Sequence, residues 1–179
     1  MKLYHDVIIA GFGGQGVLLA GNLLAVTGMR AGLNATYLPV YGPEMRGGTA
    51  NCTVVLSDED IGAPIIRHPL STIIMNQPSL EKFQPALKDN GLQVINSSLV
   101  DLKLVQTRVR TVAVAATEIA DALGNQKMAN MVAIGAYIKA GRALSLDAVI
   151  GSLPFVIAAR YHHLNAKNAE AIKAGYEAA

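Results

Sequence analysis

A single cysteine, Cys52, among 179 residues excludes a disulfide within the chain and an iron–sulfur cluster held by this chain alone. Tryptophan is absent and aromatic residues make up only 5%. Charged residues reach 16%, against about 25% in ordinary soluble domains. A formal net charge of +2, with basic residues scattered and not interleaved with aromatics, argues against nucleic acid as a partner. No apolar run approaches the roughly 20 residues of a membrane-spanning helix. The first residues, Met1-Lys2-Leu3-Tyr4-His5-Asp6, lead into a strand without the layout of a signal peptide, so a cytoplasmic location is expected. Apolar residues make up 51%, and with so little charge part of the surface is expected to be covered by another subunit.

Against these absences stands a run of glycines. Gly11-Phe12-Gly13-Gly14-Gln15-Gly16 lies between Val7-Ile8-Ile9-Ala10 and Val17-Leu18-Leu19-Ala20, which reads as strand, turn and helix. Glycines permit a sharp turn and the approach of a ligand or another chain without a Cβ in the way. The helix start offers unpaired N–H groups and a partial positive charge, a setting for an anion. Gly11, Gly13 and Gly16 fit the dinucleotide fingerprint, but its acidic partner at the tip of the second strand is missing, because the first acid is Glu44 beyond a Gly-Pro turn. A Walker loop is excluded, since Val17 stands where lysine is required. The glycines also fit a tight turn that lets the first helix pack closely on the sheet.

Strands are expected at 3–10, 34–40, 50–57, 71–76, 92–96 and 108–114, and helices at 14–31, 78–88, 116–123, 126–141, 146–159 and 162–176. Short apolar strands alternating with helices predict an α/β fold. It is read as one domain over 1–179, with a mainly parallel sheet, helices on both faces and a helical C-terminal third. The 126–141 helix is apolar nearly all round (Met128, Met131, Val132, Ile134, Ile138) and must be buried against something. Cys52, in the apolar stretch 51–56, reads as a small buried residue.

A second loop, Tyr41-Gly42-Pro43-Glu44-Met45-Arg46-Gly47-Gly48-Thr49, follows a strand, where open α/β sheets place ligands. The Arg46 guanidinium can hold a carboxylate or phosphate by two parallel hydrogen bonds, and Gly47 and Gly48 free the backbone beside it. Pairing with Glu44 at the surface explains Arg46 equally well on composition. Lys127 and Asn130, three residues apart, are expected to share a helix face as a polar patch. His162 and His163 are adjacent and point apart on a helix, so they cannot share a metal.

Taken with Lys127-Met128-Ala129-Asn130-Met131-Val132-Ala133-Ile134-Gly135, the two loops make the chain resemble the gamma subunit of the 2-oxoacid:ferredoxin oxidoreductases over nearly its whole length. Within that family it is most similar to the 2-oxoglutarate enzyme, followed by the pyruvate and branched-chain enzymes. The smaller (beta) subunit of indolepyruvate:ferredoxin oxidoreductase and a stand-alone Rossmann-like dinucleotide-binding protein are the alternatives. The resemblance implies an oxidoreductase complex that decarboxylates a 2-oxoacid on thiamine diphosphate with Mg2+, passes electrons through iron–sulfur clusters to ferredoxin, and transfers the acyl group to coenzyme A. It implies partners too: alpha and beta subunits and a delta subunit where one exists, with the thiamine diphosphate between alpha and beta and the clusters in beta or delta. Ferredoxin would be met only indirectly.

This chain would bind no cofactor alone and be inactive alone, having one cysteine and no Gly-Asp-Gly with which a thiamine diphosphate motif begins. It would help shape the coenzyme A site through Gly11, Gly13, Gly14, Gln15, Gly16, Arg46, Gly47 and Gly48, with Lys127 and Asn130 beside them. In isolation it could pair with a second copy through the surface meant for its partners.

Overall fold

The computed structural model describes residues 2–40 and 49–179. Six strands form one sheet: β1 (Tyr4–Phe12), β2 (Asn34–Val40), β3 (Thr49–Ser57), β4 (Ser71–Ile74), β5 (Leu92–Asn96) and β6 (Arg110–Val114). Their order is β2-β3-β1-β4-β5-β6. Strands β1, β4, β5 and β6 run parallel to one another. Strand β3 runs antiparallel to both β1 and β2, so β2 points the same way as the other four. The sheet is therefore mainly parallel, as expected, with one reversed strand inserted next to β1.

Side chains alternate across the sheet, and the core divides accordingly. Ile9, Ile73 and Val94 point to one face, where they join Leu23 and Leu24 of α1 (Val17–Arg30) and Met131, Val132 and Ile134 of α4 (Ala129–Gly141). Their sequence neighbours Ala10, Ile74 and Ile95 point to the other, against Leu80 of α2 (Gln77–Phe83) and Val100. Helices thus cover both faces. On the first they are joined by α3 (Ala116–Ala122), α5 (Leu146–Val156) and α6 (Asn165–Ala178).

The first helix begins at Val17, later than the glycine-rich start suggested, because Gly14 and Gly16 have φ of 95° and 71° and cannot continue a right-handed turn. The helix expected through Lys88 ends at Phe83 and tightens into a 3-10 turn over Gln84–Ala86, where Pro85 has no N–H to donate.

The apolar helix α4 finds its cover inside the chain. Every residue from Ala129 to Ile138 is buried, with the sheet on one side and α6 on the other. The two helices cross at glycines. A Cβ on Gly135 would lie 1.9 Å from the Ile172 carbonyl oxygen, and one on Gly175 would lie 1.9 Å from that of Val132. A partner subunit is therefore not what this helix was waiting for. Among the described residues no helix is long and apolar enough to cross a membrane.

Asp6 sits on β1 with 1% of its surface exposed, and its Oδ1 accepts the Leu70 N–H at 2.6 Å. Burial raises its carboxyl above the ordinary 3.8, outweighing that hydrogen bond. The native chain then holds this proton longer than the unfolded chain. Its stabilising contribution is complete below the ordinary value and is lost as pH rises through the folded one. Asp6→Asn keeps the acceptor and removes the titration. Its urea midpoint relative to the parent is expected to climb as pH rises from the ordinary 3.8 through the raised folded value; a difference independent of pH would contradict this.

Candidate functional site

Four parallel strands deliver their C-terminal ends to one edge of the sheet. Each end of β1, β4 and β6 leads toward a helix N-terminus, so the partial positive charges of α1, α2 and α3 face the same edge. The glycine loop 13–16 lies here. The register also brings the second loop's ends to it: Phe12 pairs with Thr49, Gly11 with Ala50, and Val40 with Asn51. Arg46, Gly47 and Gly48 themselves lie outside the described residues.

Side-chain amides stitch this edge together. Gln15 is the hub: its Oε1 accepts the Phe12 N–H at 2.6 Å and the Asn76 Nδ2 at 3.1 Å, and its Nε2 donates to the Met75 carbonyl at 3.3 Å. Asn76 caps α2 through Oδ1, which accepts the Ser79 N–H at 3.0 Å. Asn96, fully buried at the end of β5, donates from Nδ2 to Thr117 Oγ1 at 2.9 Å and accepts the Thr117 N–H at 3.3 Å. Asn130 reaches across the chain and donates from Nδ2 to the Gly16 carbonyl at 3.0 Å.

The expected site residues divide by role. Gly11 is buried at the end of β1, and a Cβ there would meet Gln15 Oε1 at 2.6 Å. Gly13 and Gly14 are exposed at the tip; a Cβ on Gly14 would meet nothing within 4 Å, leaving that space open to a visitor. Gly16 is the N-cap of α1, with no side-chain hydrogen bond capping the helix. Its φ of 71° and the 2.5 Å from a would-be Cβ to Asn130 Nδ2 both demand glycine.

Lys127 and Asn130 do not form one polar patch. Lys127 is exposed on the 3-10 turn Gln126–Met128, while Asn130 is 4% exposed within α4 and serves Gly16. Sequence reading missed Asn76 and Asn96. Asn76 had a signal, because an Asn two residues before Pro78 is a helix N-cap pattern.

None of these linking side chains titrates. They tie the ends of β1, β4 and β5 to the starts of α1, α2 and α3. Cys52 stands apart: fully buried, its Sγ 3.4 Å from the Val17 carbonyl, its thiol pushed by burial to about 12, it is a packing residue. His162 Nε2 lies 2.8 Å from the Ile157 carbonyl. Among the described residues no group of three or more His, Cys, Asp or Glu could hold a metal. The inserted β3 separates β1 from β2, which are neighbours in the dinucleotide-binding order 3-2-1-4-5-6, so the strand order departs from that fold.

The family model for pyruvate ferredoxin/flavodoxin oxidoreductase matches residues 6–178. The chain is 40% identical over 135 residues to ketoisovalerate oxidoreductase subunit VorA of Methanothermobacter thermautotrophicus, covering 75% of this chain but only 28% of that one. It is 34% identical over 160 residues to 2-oxoglutarate synthase subunit KorC of Methanothermobacter marburgensis, covering 83% of this chain and 86% of that one. The solved keto/oxoacid ferredoxin oxidoreductase gamma subunit of Geobacter sulfurreducens superposes with a TM-score of 0.82 at 25% identity, covering 97% of each chain.

Proposed function

The chain belongs to the pyruvate ferredoxin/flavodoxin oxidoreductase family, and we propose that it works as the gamma subunit of a multi-subunit 2-oxoacid:ferredoxin oxidoreductase in the cytoplasm, inactive until assembled. Its contribution is to complete the coenzyme A region beside active centres held by companion chains. The observation that carries this reading is the convergence of the glycine loop with Val40 and Thr49, the residues flanking 41–48, on one sheet edge, in a setting of helix N-termini and neutral amides. Such an edge suits the phosphates of coenzyme A, and the side chains that link it among the described residues are neutral. Thiamine diphosphate, Mg2+ and iron–sulfur clusters would then reside in alpha, beta or delta subunits, and those cofactors supply the decarboxylation and electron transfer.

The surface flanking this edge supports a docked role. Phe12, Leu38 and Val40 are 39%, 36% and 45% exposed, on the face of the sheet that also carries α2. Leu19, at the start of α1, is 36% exposed. We take 2-oxoglutarate as the first substrate to test, although the ketoisovalerate relative is as similar as the 2-oxoglutarate one.

Arg46→Ala in the assembled enzyme tests the coenzyme A role. Loss of a charge-assisted hydrogen-bonding pair costs about 1.5–3 kcal/mol. The KM for coenzyme A should therefore rise roughly 10–100-fold, with kcat held, as expected for uniform binding. An unchanged KM in an intact complex would remove Arg46 from the site.

A further inference from the structure

The opposite edge of the sheet holds a second feature that the proposed function does not use. At the N-terminal ends of the parallel strands lies an open cleft of about 930 Å3. Eight residues of β1 separate it from the glycine loop, roughly 26 Å at the rise of a strand. Lys88, Arg110, Lys139 and Arg142 all line it, from the turn before β5, the start of β6 and the end of α4. These are four of only 15 basic residues in the chain.

The Lys88 charge acts through space on the buried Asp6 carboxyl, and the last residue, Ala179, also lines the cleft. Among the described residues none of the four stands in an ion pair. Asp89, also on the cleft, is bound to Arg108 at 2.8 Å. The Asp6 carboxylate is buried beneath and accepts the Leu70 N–H. The Arg110 guanidinium donates to the Ala140 carbonyl, and Lys139 Nζ lies 5.7 Å from the Tyr176 ring; both arrangements fix a cation in place without cancelling it. Four like charges around one concavity repel one another and concentrate anions there.

The rest of the lining narrows the chemistry. Ser71 Oγ and the Tyr137 hydroxyl, 3.1 Å apart, provide polar hydrogen-bonding atoms, and Leu92 and Val112 form an apolar strip. The Tyr4 ring, 43% exposed, stands at the same cleft and can stack on a flat ring. The volume lies in the range of small-molecule sites, and concavity favours a small ligand over a protein surface. The geometry points to a binding site for a phosphate-bearing small molecule of nucleotide size, held by Lys88, Arg110, Lys139 and Arg142. This site is distinct from the coenzyme A edge and independent of the function proposed for it.

Calorimetric titration of the full chain at low salt tests it, with ATP, inorganic pyrophosphate and an oligoglutamate peptide as probes. ATP binding is expected, weakened at least tenfold in the double variant Lys88→Gln/Arg142→Gln, whose exposed side chains make no hydrogen bond that folding needs. Arg110→Ala, with its thermal midpoint measured alongside, should weaken binding as well. Arg46→Ala should leave ATP affinity unchanged, which separates this site from the coenzyme A edge. Pyrophosphate binding as tightly as ATP would assign the cleft to phosphate alone; tighter ATP binding would bring in the ring against Tyr4. The proposal is overturned if neither phosphate binds, if binding survives Lys88→Gln/Arg142→Gln, or if only the acidic peptide binds.

Discussion

Replacing Gly135 with alanine should lower the thermal midpoint by roughly 6–12 °C, the consequence of about 3 kcal/mol in a domain of this size. Two effects compete. Alanine is the better helix former by about 1 kcal/mol. The added methyl, however, would sit 1.9 Å from the Ile172 carbonyl oxygen and 2.7 Å from the Tyr176 nitrogen. Those atoms are backbone of a facing helix and cannot rotate away, so α4 and α6 must separate and the steric cost wins. Gly151 on α5 provides the control, because a Cβ there meets nothing within 4 Å. Gly151→Ala should stabilise by roughly 0.4–1 kcal/mol. A Gly135→Ala midpoint equal to or above the parent would show that the helix crossing is looser than described.

The second large effect belongs to the candidate site. Gly16→Ala forces a left-handed backbone onto an L residue, at about 1–2 kcal/mol. It also drives a methyl to 2.5 Å from Asn130 Nδ2, breaking the bond to the Gly16 carbonyl and leaving buried polar atoms unpaired, at about 1–3 kcal/mol more. In an Asn130→Ala background the second cost has already been incurred, so only the backbone cost remains. The two substitutions should therefore be non-additive by about 1–3 kcal/mol in urea unfolding. If the glycine loop shapes the coenzyme A site, the single variants of the assembled enzyme should also raise the KM for coenzyme A. Additive stabilities would mean that the Asn130–Gly16 link does not hold the loop.

The two variants also mark where the sequence was readable. The strands at 34–40 and 92–96 end where their apolar runs end. Gly135 and the alanines of α4 permit close approach of another backbone, and α6 makes that approach. What no local pattern revealed was the partner in it. The need of an apolar helix for cover reads the same whether α6 or another subunit supplies it, and only the tertiary structure shows Gly175 opposite.

The reversal of β3 escaped for a different reason, since alternation along a strand does not encode its direction. A clue was present in the linker. Only eight residues separate Val40 from Thr49, enough for an antiparallel return but fewer than the dozen or more that a parallel crossover needs. The strand expected from Arg108 begins at Arg110 because the Arg108 guanidinium is drawn into the preceding loop by the Gln84, Pro85 and Leu87 carbonyls.

At the site, the glycine turn was legible from spacing, and Asn130 was singled out. Its role was not legible, because a contact across 114 positions of sequence leaves no trace in either segment. Asn130 had been paired in expectation with Lys127, on the assumption of one continuous helix. The 3-10 turn at Gln126–Met128 breaks that register and leaves one residue in solvent and the other in the core.

The reading as a whole depends on this polypeptide being a part and not a whole enzyme. The most direct measurement purifies it twice, once alone and once drawn out with whatever companions it holds in its native cells. Each sample is then assayed for coenzyme A-dependent reduction of ferredoxin by 2-oxoglutarate, pyruvate and branched-chain 2-oxoacids. Turnover is expected only from the sample containing thiamine diphosphate and iron–sulfur subunits, and it should vanish when this chain is stripped away. Turnover by the solitary chain, or full activity of the companions without it, would contradict the account.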